Sequence, residues 1–270
     1  MHRSDAAILD SDGGRSPARV HFFGHATLAI TMDGVTILTD PVLRHRVAHL
    51  GRRGRLHPAA LQRRPDAVLI SHLHQDHLDI PSLLKLGRDV RLIVPVGATP
   101  VVARRGFTNV QEVHVGERIP VGAVQVLATP ANHDGRRPPF GPRAECLGFI
   151  IEGSERIYFA GDTDLFAEMS ALGRPNIALL PVWGWGPSLG PGHMDPRRAA
   201  ESLAMIEPAI AVPIHWGSLY PMHLLALGQG RRAFLDTPPA AFAAFAQQIA
   251  PEVDIRIIRP GELHLPARTA

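Results

Sequence analysis

The sequence predicts a layered α/β domain in which two β-sheets are covered on the outside by helices. Three observations carry that expectation. Short apolar or alternating runs come first along the chain, helical stretches alternate with strands later, and the metal-ligating residue types recur where buried strands end.

The strand candidates are residues 19–23 (RVHFF), 27–31, 35–38, 67–70 (AVLI), 91–94, 123–128, 147–151, 156–160 (RIYFA), 177–182, 209–214 (AIAVPI) and 254–258. Pro81 opens a helix over PSLLKLG, with Asp79 helping to start it, and residues 99–106 (TPVVARRG) form a second. Asp195 with Pro196 reads as an N-cap and first-turn pair before RRAAESLAMI, and Thr237 with Pro238 does the same for PAAFAAFAQQIA. At 270 residues with 45% hydrophobic content, the chain is long enough to bury a sizeable core. The expected organisation is a loose polar leader over 1–17 and one domain over 18–270.

No stretch approaches the roughly 20 apolar residues that span a bilayer, and the N-terminus lacks the apolar core of a secretory signal, so a cytoplasmic location is expected. Cys146 is the only cysteine; it sits in the apolar run CLGFII and reads as a buried strand residue. The net charge of +3 is too small to imply a nucleic-acid partner.

The stretch SHLHQDHLDI, residues 71–80, packs His72, His74, Asp76, His77 and Asp79 directly after the strand AVLI. His133 follows VQVLATPAN, Asp162 follows RIYFAG, and His215 follows AIAVPI. Four strand ends that each deliver a ligand residue type point to one site on one rim of the sheets. His72 and His74 would grip one cation, completed by His133. Asp76 and His77 would face a second, completed by His215, and Asp162 would bridge both. Clustering so many imidazoles and carboxylates without a cation would leave unsatisfied or mutually repelling groups. Imidazole with carboxylate and no thiolate suits zinc, iron or manganese in a catalytic site rather than a structural one.

The motifs HLHQDHLD, TPANH, YFAGDTD and PIHWG occur in an order that resembles the metallo-β-lactamase fold superfamily. They look most like its branch of N-acylphosphatidylethanolamine phospholipase D type and L-ascorbate-6-phosphate lactonase type hydrolases. FFGHATLAI, ILTDPVL and GHMDPRRAA add to that likeness, which spans roughly residues 19 to 265. The resemblance implies a four-layered αββα sandwich and a dinuclear centre. In it, His72, His74, His133 and Asp162 hold one metal and Asp76, His77, Asp162 and His215 the other. Two Zn2+ ions are implied, with Mn2+ or Fe as alternatives. Two cations about 4 Å apart would turn a bridging water into hydroxide at neutral pH, with Asp76 orienting it.

His193, in GPGHMDP, matches a substrate-contacting position of the family and is the expected general acid or oxyanion donor. His25 and Asp40 are expected to support ligand histidines. Arg44, Arg46, Arg52, Arg53, Arg55, Arg63 and Arg64 occupy a long loop over 41–64, while Arg136, Arg137 and Arg143 follow His133. Two arginine-bearing loops beside a metal centre imply an anionic substrate. Trp183 and Trp185 would form an apolar wall, joined by Tyr220, Met222 and His223.

The function expected is therefore a metal-dependent hydrolase that cleaves an ester bond, in the first place a phosphodiester of an anionic or amphipathic small molecule. A lactonase or carboxylic ester hydrolase is the alternative enzyme, and a metal-binding or ligand-sensing protein without turnover is the alternative outside catalysis. Membrane contact enters only if the substrate is a phospholipid, and a homo-oligomer is compatible with the chain.

Overall fold

In the computed structural model, residues 18–56, 64–226 and 233–264 are described. The expected leader over 1–17 and Arg63 lie outside them.

The first half builds one sheet. Strands β1 (Arg19–Gly24), β2 (Thr27–Met32) and β3 (Val35–Thr39) form an antiparallel meander. After the short strands β4 (Arg46–Val47) and β5 (Leu50–Arg52), the chain returns as β6 (Ala67–Leu69), parallel to β3. Helix α1 (Ile80–Leu86) and helix α2 (Thr99–Ala103) then flank β7 (Leu92–Pro95), and β8 (Val110–Val113) completes the parallel edge. The second sheet starts with the antiparallel strands β9 (Arg118–Val121), β10 (Val124–Pro130), β11 (Leu147–Glu152) and β12 (Arg156–Phe159). It switches to parallel pairing at β13 (Ile177–Pro181) and, beyond helix α3 (Pro196–Ile206), at β14 (Ile210–Ile214). Strand β15 (Leu219–Pro221), helix α4 (Pro238–Ile249), β16 (Asp254–Ile255) and β17 (Leu263–His264) follow. The two large sheets have the orders β17-β1-β2-β3-β6-β7-β8 and β16-β14-β13-β12-β11-β10-β9.

Apolar side chains explain the layering. Phe22, Leu28 and Ile37 from the first sheet meet Val126, Phe149 and Leu179 from the second in one buried cluster between them. The parallel strands β6, β13 and β14 are buried on both faces, so their sequences read as continuous apolar runs. Their outer faces pack under helices: Leu83 and Val102 with Val68 and Leu92 on one side, Leu203 and Phe242 with Leu180 and Ala211 on the other. The result is the expected αββα arrangement.

Helix starts follow local chemistry. Asp79 accepts from Ser82 N and Asp195 accepts from Arg198 N, each capping an orphan amide of the first turn. Thr237 makes no such bond; its hydroxyl donates to Ala233 O instead.

The segment over 41–64 is not simply a loop. Strands β4 and β5 make a hairpin with Ala48 and His49 at its turn, and β5 pairs with β15 to give a separate three-stranded sheet in the order β15-β5-β4. Two-residue and three-residue strands carry too little periodicity to be read from a sequence. Among the described residues, no helix is long and apolar enough to cross a membrane.

Candidate metal centre

Parallel strands deliver their carboxyl ends to one rim, where open α/β sheets place their ligands. His72 follows β6, Asp162 follows β12 and His215 follows β14, while β10, running in the same direction as β12, brings His133. All seven expected ligand residues converge there, as side-chain distances show. His74 Nδ1 lies 3.1 Å from His133 Nε2, and His77 Nε2 lies 3.2 Å from His215 Nε2. Asp162 stands between the two groups, with Oδ2 3.2 Å from His77 Nε2 and Oδ1 3.1 Å from His215 Nε2. The rings of His72 and His77 are 4.1 Å apart by centroid, and those of His72 and His133 are 4.6 Å apart.

Hydrogen bonds on the far side of each ring fix which nitrogen faces inward. His77 Nδ1 donates to Asp40 Oδ2 at 2.7 Å, His133 Nδ1 to Gly192 O at 2.7 Å, and His215 Nδ1 to Trp183 O at 2.8 Å. His72 Nδ1 lies 2.9 Å from Ser71 Oγ, whose own proton goes to Asp40 Oδ2. With Nδ1–H so committed, Nε2 is the nitrogen that each of these four rings turns to the centre. His72 Nε2 and Asp162 Oδ1 are buried and make no hydrogen bond at all. Buried acceptors facing one another without donors are unfavourable, and a cation relieves that. The donor set therefore fits divalent metal. His72, His74 and His133 form one group able to hold an ion, and Asp76, His77 and His215 fall in another with His25.

Charge states of three of these rings favour ligation too, while His77 would give up a proton to an incoming cation. Burial drives His72 and His215 well below the usual histidine range and His133 down to about 4, so these rings are neutral at pH 7. Burial also opposes charge on His77, but Asp162 and Asp40, one at each ring nitrogen, outweigh it and hold its pKa high. Asp162 is kept ionised against burial by His215 and His77.

Backbone strain concentrates here. His25, Asp40 and His215 are non-glycine residues at positive φ, 59°, 33° and 61°. Gly192 has φ +76°, and a Cβ there would sit 3.0 Å from His133 Nδ1, so only glycine lets this carbonyl reach the ring.

The supporting residues fall into place in detail. Asp40 Oδ1 accepts from Ser71 N while Oδ2 holds His77. His25 Nε2 lies 3.0 Å from Asp76 Oδ2, and its ring lies 3.9 Å by centroid from that of His215, tilted by 36°. His193 stands at the opening, with Nε2 3.5 Å from Asp162 Oδ2. Burial works against its protonation, but the contact with Asp162 raises its pKa above the ordinary histidine value. Asp79 faces Arg44 and the α1 terminus, away from ligation.

A cavity of about 260 Å³ opens on these residues, lined by His74, Gln75, Asp76, Asp162 and His193 below and by Val47–Leu50, Pro138 and Trp185 above. Several sequence expectations need correction here. Trp183 does not line the cavity: it packs against the outer helical layer, its Nε1 donates to Gly186 O, and its carbonyl holds His215. Tyr220, Met222 and the exposed His223 are also absent from the lining; Met222 N instead holds His49 O. Among the described residues, no arginine lines the cavity either. Arg44 pairs with Asp79, Arg53 with Asp236, Arg64 with Asp89 and Arg143 with Asp134. Arg46 donates to Ala48 O, Arg137 clasps Leu73 O and Leu78 O, and Arg136 is exposed. Arg52 is buried, donates to Phe23 O, Val42 O and Arg44 O, and has its pKa lowered by burial to about 10. The arginines serve as structural clasps and surface charge rather than an anion cradle.

Two participants escaped the sequence reading. Ser71, adjacent to His72, was legible as a polar residue at the strand end. His49 had no local signal, because only the hairpin and its pairing with β15 bring it to the cavity.

The chain is similar to known proteins over most of its length. The chain is 29% identical over 253 residues to the UPF0173 metal-dependent hydrolase MK1542 of Methanopyrus kandleri, covering 90% of this chain and 98% of that one. The metallo hydrolase Igni18 of Ignicoccus hospitalis superposes with a TM-score of 0.71 at 22% identity over 92% of this chain and 98% of that one. CmlA, a diiron β-hydroxylase of Streptomyces venezuelae, shares the fold with a TM-score of 0.69 at 21% identity, over 92% of this chain and 54% of its own. Residues 35–216 match the family described as the Beta-lactamase superfamily domain, and the chain belongs to that family.

Proposed function

We propose that this protein is a metal-dependent hydrolase that cleaves an ester-type bond, with His72, His74, His133, Asp162, Asp76, His77 and His215 holding two divalent ions. One observation carries the reading: four imidazoles have Nδ1 tied to a partner behind them, and their Nε2 atoms gather with Asp162, which lies 3.2 Å from His77 Nε2 and 3.1 Å from His215 Nε2, and with His74, which lies 3.1 Å from His133 Nε2. Zinc suits this nitrogen and oxygen donor set, with manganese and iron as the other candidates. The relatives' name of metal-dependent hydrolase supports the activity class. The motif order supports kinship with the phospholipase D and ascorbate-6-phosphate lactonase branch.

Bound divalent ions supply Lewis acidity, which acidifies water and polarises an electrophilic oxygen. The protein's own groups do the rest. Asp76, fixed by His25, lines the cavity as an ionised carboxylate able to orient water through a hydrogen bond, with one oxygen aimed by the bond to His25. His193, with its raised pKa and its position on the cavity wall, holds a proton for the leaving group.

Metal content measured on protein purified without added metal, combined with hydrolysis of p-nitrophenyl butyrate and bis-p-nitrophenyl phosphate in the presence of zinc or manganese, tests the proposal. The expected result is turnover that requires metal and disappears in His72→Ala. Activity unchanged by chelation and by that substitution would overturn it.

A further inference from the structure

We infer that the hairpin turn over Val47–Leu50, together with Trp185 and Pro138, forms an uncharged recess that receives the apolar, uncharged body of the substrate, so that carboxylic esters or lactones rather than anionic phosphodiesters are processed. This rests on the hydrolase reading above and adds the substrate class.

The recess adjoins the candidate centre directly, since His74, Asp76, Asp162 and His193 belong to the same cavity as the hairpin. The rest of its lining is Val47, Ala48, His49, Leu50, Pro138 and Trp185. His49 meets Trp185 edge-on, with centroids 5.0 Å apart and planes at 81°, a geometry in which a ring edge points at a π-face. Among the described residues, no lysine or arginine is in the lining, and its charged or titratable groups beside the metal-ligand candidates His74, Asp76 and Asp162 are only His193, which contacts Asp162, and His49. A substrate anion away from the metal-facing floor would be desolvated without a counter-charge, which is unfavourable. An apolar group there loses water against apolar walls.

Size and rigidity fit as well. A cavity of about 150 Å³ holds a benzene-sized group, so a cavity of about 260 Å³ takes a somewhat larger body. The hairpin is held in place: β5 pairs with β15, Met222 N donates to His49 O, and Arg52 bonds three carbonyls at the hairpin's base. The recess is therefore a pre-formed surface rather than one assembled on binding.

The test compares p-nitrophenyl acetate, butyrate and hexanoate with p-nitrophenyl hemisuccinate, whose body is close to butyrate in size but carries a charge, in zinc-loaded and manganese-loaded protein. The expected result is a rise in kcat/KM of at least about tenfold from acetate to hexanoate, the scale on which apolar pockets read methylenes, and a preference for butyrate over hemisuccinate. His49→Arg, at an exposed position of the lining, should reduce the butyrate preference by giving hemisuccinate a counter-charge, and Trp185→Ala should flatten the chain-length dependence. Equal or better use of hemisuccinate, or a flat series in the wild type, would overturn the inference. If no ester is turned over with either metal, the hydrolase reading fails by itself. Calorimetry of the metal-free protein then decides the recess: 4-butylbenzamide binding more tightly than 4-butylbenzoate, with the difference lost in Trp185→Ala, supports it, and the reverse order sinks it.

Discussion

His77 Nδ1 lies 2.7 Å from Asp40 Oδ2, with both side chains fully buried. Asp40 also takes the protons of Ser71 N and Ser71 Oγ, so one carboxylate aims two candidate ligands, His77 directly and His72 through Ser71. Asp40→Ala should lower metal affinity and activity about 10- to 100-fold, the usual effect of removing a partner behind a ligand histidine. It should also destabilise the fold, because each buried donor left without an acceptor costs about 1–3 kcal/mol. Competition for zinc with a chromogenic chelator measures the first effect and urea unfolding the second. Unchanged zinc affinity would refute the role given to Asp40.

Metal removal should be visible without any substrate. Lone pairs gathered around Asp162 repel one another in the apo protein, and an ion that binds only the folded chain stabilises it by mass action. Treatment with a chelator should lower Tm and added zinc or manganese should restore it. A melting curve indifferent to both would argue against a metal centre.

Asp79 caps α1 through Ser82 N and also binds Arg44 in a two-pronged pair. Asp79→Ala removes a cap worth about 1 kcal/mol together with charge-assisted bonds of about 1.5–3 kcal/mol. A loss of about 2–4 kcal/mol is expected in denaturant unfolding, with metal stoichiometry preserved, because Asp79 does not face the centre.

Glu112 on β8 accepts from Gly97 N and Thr99 N at the start of α2. Burial is the largest single influence and raises its pKa, but the hydrogen bonds from Thr99, Gly97 and Ala98 together prevail and hold it below the ordinary 4.5. A carboxylate with a depressed folded-state pKa stabilises above its unfolded pKa and loses that contribution as pH falls through the folded value. The stability difference between wild type and Glu112→Gln should therefore be present at pH 7 and shrink below about pH 4.3. A difference that grows on acidification would contradict the assignment.

Arg136 is exposed and outside the cavity. Arg136→Ala should change KM and stability little, within the roughly 0.5 kcal/mol typical of surface sites. A large rise in KM would restore the anion-binding role that the sequence implied.

Much of this site was legible from the residues. The H-x-H-x-D-H string and three further strand-end ligands converge because parallel strands must leave the sheets at one rim, and alternating apolar runs reveal those strands. Substrate recognition was less legible. Arginine in a loop looks the same whether it meets solvent, a neighbouring carboxylate such as Asp79, or a backbone carbonyl such as Val42 O, and only the fold distinguishes these. Trp183 misled for a related reason: the residue matters through its carbonyl, which no side-chain pattern records. His49 was invisible because β4 and β5 are too short to announce themselves.

The β4–β5 hairpin contributes none of the seven candidate ligands yet roofs the cavity beside them. Selectivity and reactivity thus reside on separate pieces of backbone, and drift in one need not damage the other. Grafting a different turn between Arg46 and Arg52, with the buried guanidinium of Arg52 kept as its root, offers a route to retarget the protein while leaving its reagent intact.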